Sequence, residues 1–122
     1  MHVLATVLVV VVAAIHVYIL VLEMFLWRTP RGRAAFGTTE EFAKASAPLA
    51  ANQGLYNGFL AAGLVWSLLA GDPVRFSAQV FFLSCVIVAG CYGAATANRK
   101  ILVVQALPAA LALGAVLLAH GH

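Results

Sequence analysis

Four runs of about 20 predominantly apolar residues, joined by short polar connections, constrain this chain more than any other feature, because that length is what a helix needs to cross roughly 30 Å of hydrocarbon. The runs span about residues 3–27, 49–70, 76–96 and 101–120 and consume nearly all of the 122 residues. No length is left for a second domain, so the expectation is one membrane domain over 1–122. Inside hydrocarbon every backbone N–H and C=O has to be satisfied within the span or in a closed barrel. Although Val9 to Val12 are β-branched, the first run is far too long for a strand, and length decides for helix. The fold class is therefore all-α: a polytopic integral membrane protein, a four-transmembrane-helix bundle.

Composition agrees with lipid as the solvent. Hydrophobic residues make up 64% of the chain and charged residues 9%, against about 25% charged in a soluble domain. A water-soluble globule of this size keeps a large share of its surface exposed and has nowhere to hide so much apolar area. Membrane lipids are the expected partners. The net charge of +3 does not point to nucleic acid, because the basic residues sit in the connections between apolar runs, where they set orientation. Only Met1 and His2 precede the first run, which lacks a basic leader and exceeds the apolar core of a signal peptide, so it reads as a mature helix.

The connections supply boundaries and topology. Trp27 is an interfacial aromatic, followed by Arg28, Pro30, Arg31 and Arg33. Hydroxyls ahead of acids in Thr38-Thr39-Glu40-Glu41 form a capping pattern, which predicts a short surface helix in the loop 28–48, with Pro48 opening the next element. Gly71-Asp72-Pro73 is a turn signal, Asn98-Arg99-Lys100 separates the third run from the fourth, and Pro108 predicts a kink inside the last. Six basic residues lie in the first and third loops (Arg28, Arg31, Arg33, Lys44, Arg99, Lys100) against Arg75 in the second. By the positive-inside rule the first and third loops are cytoplasmic and both termini are outside. Small residues recur four apart in Gly54, Gly58 and Ala62, in Cys85, Ala89, Gly93 and Ala97, and in Ala106, Ala110 and Gly114. Such rows let backbones approach closely within one bundle or across a homo-oligomer. Cys85 and Cys91 read as small packing residues rather than a disulfide.

Function is sought where the sequence places costly groups in hydrocarbon, since an ionisable residue near a span's centre costs about 2.5–3.5 kcal/mol on insertion scales. His16 and Glu23 share one face of the first run at seven-residue spacing. The second opens with Asn52, Gln53, Tyr56 and Asn57, the third carries Tyr92 near its end, and Gln105 comes early in the fourth. At 1.5 Å per residue most of these fall roughly 5–12 Å below the cytoplasmic boundary, with His16 deepest. The expectation is a polar, cytoplasm-facing cavity lined by these eight residues. The competing structural account is that the amides and tyrosines are interhelical hydrogen bonds, worth about 0.6 kcal/mol each. One His with one Glu is too few ligands for a metal, and His2, His120 and His122 read as exposed ends. No glycine loop for phosphate or nucleophile elbow is present, so no metal and no cofactor is expected.

In His16, Glu23 and Trp27, then Asn52-Gln53-Gly54-Leu55-Tyr56-Asn57, then Gly90-Cys91-Tyr92-Gly93 and Gln105-Ala106-Leu107-Pro108, the chain resembles a bacterial family catalogued as domain of unknown function 1304. The resemblance covers nearly the whole length and implies a small four-helix protein of the bacterial inner membrane; it carries no activity with it. Architecture is also similar to that of the membrane-associated eicosanoid and glutathione enzymes, but their arginine-rich second-helix motif is missing here. The leading functional expectation is binding of a small amphipathic or lipid-soluble ligand in the polar cavity. The alternatives are a membrane-embedded enzyme on a lipid-soluble substrate, with His16 or Glu23 as general acid or base, and a small dimeric proton-coupled exporter.

Overall fold

In a computed structural model, residues 2–96, 100 and 102–121 are described; the expectations that fall on Ala97, Asn98, Arg99, Ile101 and His122 lie outside the described residues. All regular structure among them is helical: α1 His2–Met24, α2 Pro30–Phe36, α3 Glu40–Leu69, α4 Val74–Thr96, a π-helical turn Leu102–Ala106, and α5 Leu107–His120. Three stretches are long and apolar enough to cross a membrane: His2–Met24, Val74–Thr96 and Val103–His120. Large apolar side chains remain exposed along them, among them Val3, Val7, Val10, Phe81, Val88, Leu111 and Leu118. A soluble monomer does not present apolar surface on that scale, and the chain is membrane-embedded. The 30-residue α3 is not among the three because Asn52, Gln53 and Asn57 dilute its apolar stretch.

The chain forms two compact units, one of residues 1–15 with 60–122, the other of residues 16–59. In the first, segments of α1, α3, α4 and α5 share one core. Val9, Val12 and Ala13 meet Leu64, Leu83, Val86, Ala109, Ala112 and Val116. Lipid tails are as apolar as these side chains, so shape fit holds them together rather than escape from water. Close approach is visible at Gly90, where an added Cβ would sit 2.9 Å from the backbone N of Ala106 and 3.2 Å from Cβ of Gln105. The small face of α5 differs from the predicted row. Of that row Ala106 is buried against Gly90, whereas Ala110 is exposed and nothing lies within 4 Å of a Cβ at Gly114; the buried alanines outside it are Ala109, Ala112, Ala115 and Ala119. Every side of α5 is apolar, so four-residue spacing alone could not select the packed face. On α4 the close glycine is Gly90 rather than the Cys85–Ala89 row, and Cys91, expected to pack, is exposed. Pro108 stands in the first turn of α5, directly after the π-helical turn Leu102–Ala106 that continues into it. The helical regularity of this span thus breaks next to the proline, where the missing N–H leaves a carbonyl of the preceding turn without its usual partner.

The second unit holds the end of α1, α2 and the first part of α3. Thr29 caps α2, its Oγ1 accepting from the Gly32 amide at 3.2 Å. Gly37 ends α2 at φ 67°, the left-handed conformation that glycine adopts without Cβ strain. The capping pattern near Thr38 does start a helix, with Thr39 Oγ1 accepting from the Phe42 amide at 3.1 Å. That helix is not a short surface piece: it runs as α3 through Pro48, which therefore opens no new element. Proline removes a single backbone donor, and the helix-favouring residues Glu40 to Ala47 carry the turns before it. Trp27 fastens the connection, donating from Nε1 to Ser46 Oγ at 3.1 Å and packing its ring 4.8 Å from that of Phe36.

Candidate functional site

The polar site of the second unit is built where α1 and α3 come closest. Gly54 is buried, and a Cβ there would meet Met24 Cγ at 2.5 Å, Glu23 Cβ at 3.1 Å and the Leu20 carbonyl oxygen at 3.3 Å. One turn on, a Cβ at Gly58 would reach Leu20 Cδ1 at 2.7 Å. Two glycines four apart thus let α3 lie against Leu20, Glu23 and Met24, the packing that such spacing permits in lipid.

Asn57 projects from this seam. Its Nδ2 donates to Glu23 Oε1 at 2.6 Å and, less closely, to the Gln53 carbonyl at 3.2 Å. The first distance is at the short end for an amide and a carboxyl oxygen. Both side chains are half-buried. Glu23 makes no other hydrogen bond or ion pair among the described residues, so only one carboxyl oxygen is engaged. His16, two helical turns earlier on α1, is fully buried and has an interaction partner of its own.

The other sequence-predicted residues divide. Asn52 and Gln53 are exposed, as is Tyr56, whose ring meets Phe59 edge-on at 6.0 Å. Tyr92 and Gln105 belong to the first unit. Tyr92 is 72% exposed on a shallow apolar face of α4 with Phe81, Cys85 and Val88. Gln105 is half-buried in the π turn, with its Cβ against Gly90. The side chains of Glu23 and Asn57 are therefore in contact, Gln53 contributes its backbone carbonyl alone, and Asn52 and Tyr56 lie on the same stretch of α3. Among the described residues no three His, Cys, Asp or Glu side chains converge on a metal position. Sequence reading missed a second polar cluster, around Gln79 and Arg75, because its members are spread along the chain and only the fold gathers them.

The chain belongs to the bacterial family described as protein of unknown function DUF1304, whose model matches residues 10–117. It is 30% identical over 115 residues to the uncharacterized protein YpaA of Lactococcus lactis subsp. lactis (strain IL1403), covering 93% of this chain and 96% of that protein. No solved structure matches.

Proposed function

We propose that this is a four-span protein of the bacterial inner membrane that binds a small amphipathic molecule, with the molecule's hydrogen-bond-donating or cationic head at Glu23 and its apolar body among the helices. In this reading α3 is the fourth span. Its 30 residues make a helix of about 45 Å, enough to cross the hydrocarbon while Glu40, Glu41 and Lys44 stay in the cytoplasmic interface. The basic first loop then lies inside the cell and the Gly71-Asp72-Pro73 turn outside.

The half-engaged carboxyl of Glu23 carries the proposal. A purely structural polar pair in hydrocarbon favours mutual satisfaction, because an unmet buried polar group costs about 1–3 kcal/mol. Here Asn57 engages Oε1, and Oε2, without a partner among the described residues, is not enclosed by the protein and stays open to a ligand at the helix surface. A ligand that brings its own donor completes the set. Asn57 holds the carboxyl in place, and Gln53, Asn52 and Tyr56 offer further polar atoms on the same stretch of α3.

The test is thermal unfolding of the purified protein in detergent with dodecylamine, with dodecanol as the neutral analogue, and with native lipid extract. Dodecylamine or the extract raises the melting temperature of the wild type, Glu23→Gln removes the rise, and Asn57→Leu reduces it. A ligand at about 100 times its Kd adds roughly 2.7 kcal/mol of stability, well within reach of the assay. Equal shifts in all three proteins would eliminate the site; dodecanol acting as strongly as the amine in the wild type alone would assign a neutral donor head rather than a cationic one.

A further inference from the structure

The first unit contains a second polar pocket, made by the start of α1, the α3–α4 turn with the first two turns of α4, and the end of α5. It has a volume of about 50 Å³, and its polar lining is His2, Thr6, Asp72, Arg75, Gln79 and His120. One water needs about 10–15 Å³ on this measure, so the space admits a small polyatomic group.

One acid, Asp72, is in the lining, yet the Gln79 amide has no acceptor and the Arg75 guanidinium only one among the described residues. Gln79 is 5% exposed, and its amide Nε2 is buried with no hydrogen-bond partner. The Arg75 guanidinium donates from one terminal nitrogen to Thr6 Oγ1 at 3.0 Å, across 69 residues of sequence. That contact uses the threonine oxygen as acceptor and leaves its hydroxyl proton to be donated elsewhere. Asp72, the nearby acid, caps α4 instead, accepting from the Phe76 amide at 3.3 Å. Arg75 forms no ion pair among the described residues. His120 is held as one wall by stacking on Phe76, with centroids 3.6 Å apart and planes at 18°.

We propose that this pocket binds an oxyanion group, a phosphate or carboxylate, gripped by Arg75 and by the amide of Gln79 with Thr6 as a third donor. A guanidinium supplies parallel N–H groups that match two oxygens of such a group, and a buried amide donor with nothing to donate to is relieved by the same ligand. The pocket involves neither Glu23 nor Asn57, so it stands independently of the site proposed above. Two sources offer the chemistry: a free anion from the aqueous phase, and the headgroup of an anionic lipid.

The full-length protein is measured by thermal unfolding in detergent with inorganic phosphate at fixed ionic strength, and by native mass spectrometry of retained lipid after reconstitution in phosphatidylcholine with or without phosphatidylglycerol. Stabilisation by phosphate assigns a free-anion site; retention of phosphatidylglycerol alone assigns a headgroup site; both support the proposal. Arg75→Gln weakens whichever interaction is found by about 10–100-fold, the range for losing a charged hydrogen-bond partner. Lys44→Gln, which removes one positive charge on exposed α3, leaves it unchanged. Gln79→Leu, close in volume, abolishes the anion effect while melting no lower than the wild type without anion. Three outcomes overturn the proposal: no response to either probe, a response that persists in Arg75→Gln, or a Gln79→Leu protein that is less stable without anion, which marks a pocket holding water alone.

Discussion

The contact of α1 with α3 makes a sharp prediction from one methyl group added at two glycines. At Gly54 the new Cβ lands 2.5 Å from Met24 Cγ, 3.1 Å from Glu23 Cβ and 3.3 Å from the Leu20 carbonyl oxygen. Carbon atoms rest about 3.5–4.0 Å apart, so about 1 Å has to be found. Met24 can swing aside, but the Glu23 Cβ and the Leu20 carbonyl move only with the α1 backbone. Overpacking of this kind costs about 1–3 kcal/mol, against which alanine returns about 0.8–1.0 kcal/mol of helix propensity. Gly54→Ala therefore ranges from near neutral to about 2 kcal/mol less stable on those two figures. Gly114→Ala meets nothing within 4 Å and keeps only the gain, about 0.8–1.0 kcal/mol. The two variants differ by about 1–3 kcal/mol, or roughly 4–12 °C in melting temperature at about 4 °C per kcal/mol for a chain of this size. Thermal unfolding in one detergent, both variants side by side, reads the difference directly. If Gly54→Ala melts at or above Gly114→Ala, α1 and α3 are not in close contact, and the placement of Asn57 beside Glu23 goes with it.

Two further outcomes follow from local contacts. In a double-mutant cycle of Glu23→Leu with Asn57→Leu, unfolding by SDS titration gives a coupling of about 0.6–1.7 kcal/mol, the range of polar pairs between membrane helices; effects additive within about 0.3 kcal/mol mean no interaction. Thr39→Ala removes the side-chain acceptor of the Phe42 amide and lowers stability by about 0.5–2 kcal/mol, seen as faster hydrogen exchange at Phe42, and unchanged exchange there refutes the cap.

Helical structure was legible because length and apolar content leave few other ways to satisfy a backbone in lipid, and the family was legible in the Asn52-Gln53-Gly54-Leu55-Tyr56-Asn57 segment. The start of α3 was readable from Thr39 and the acids after it, since a cap is a local interaction. Its continuation through Pro48 was not, because proline reports a lost donor and not whether the flanking turns hold without it. The packed face of α5 was hidden for a related reason: with Leu, Val and Ala on every side, no polarity marks which alanines meet α1 and α4. Gln79 illustrates the deepest limit. Alone in an apolar helix it looks incidental, and its significance comes from Thr6 and Arg75, placed beside each other from 69 residues apart. Asn57 was singled out by its cost in hydrocarbon, but Glu23 as its partner required the geometry of Gly54 and Gly58.

The central claim is that α3 carries Asn52, Gln53 and Asn57 across the bilayer beside α1, and labelling of single cysteines tests it most directly. With Cys85 and Cys91 replaced by serine, Ala45→Cys and Gly71→Cys put thiols at exposed positions flanking the apolar stretch of α3. A membrane-impermeant maleimide added to intact cells should modify Gly71→Cys and spare Ala45→Cys until the cells are broken. Modification of both in intact cells, or of neither, would mean that α3 does not cross and that its amides never enter the membrane.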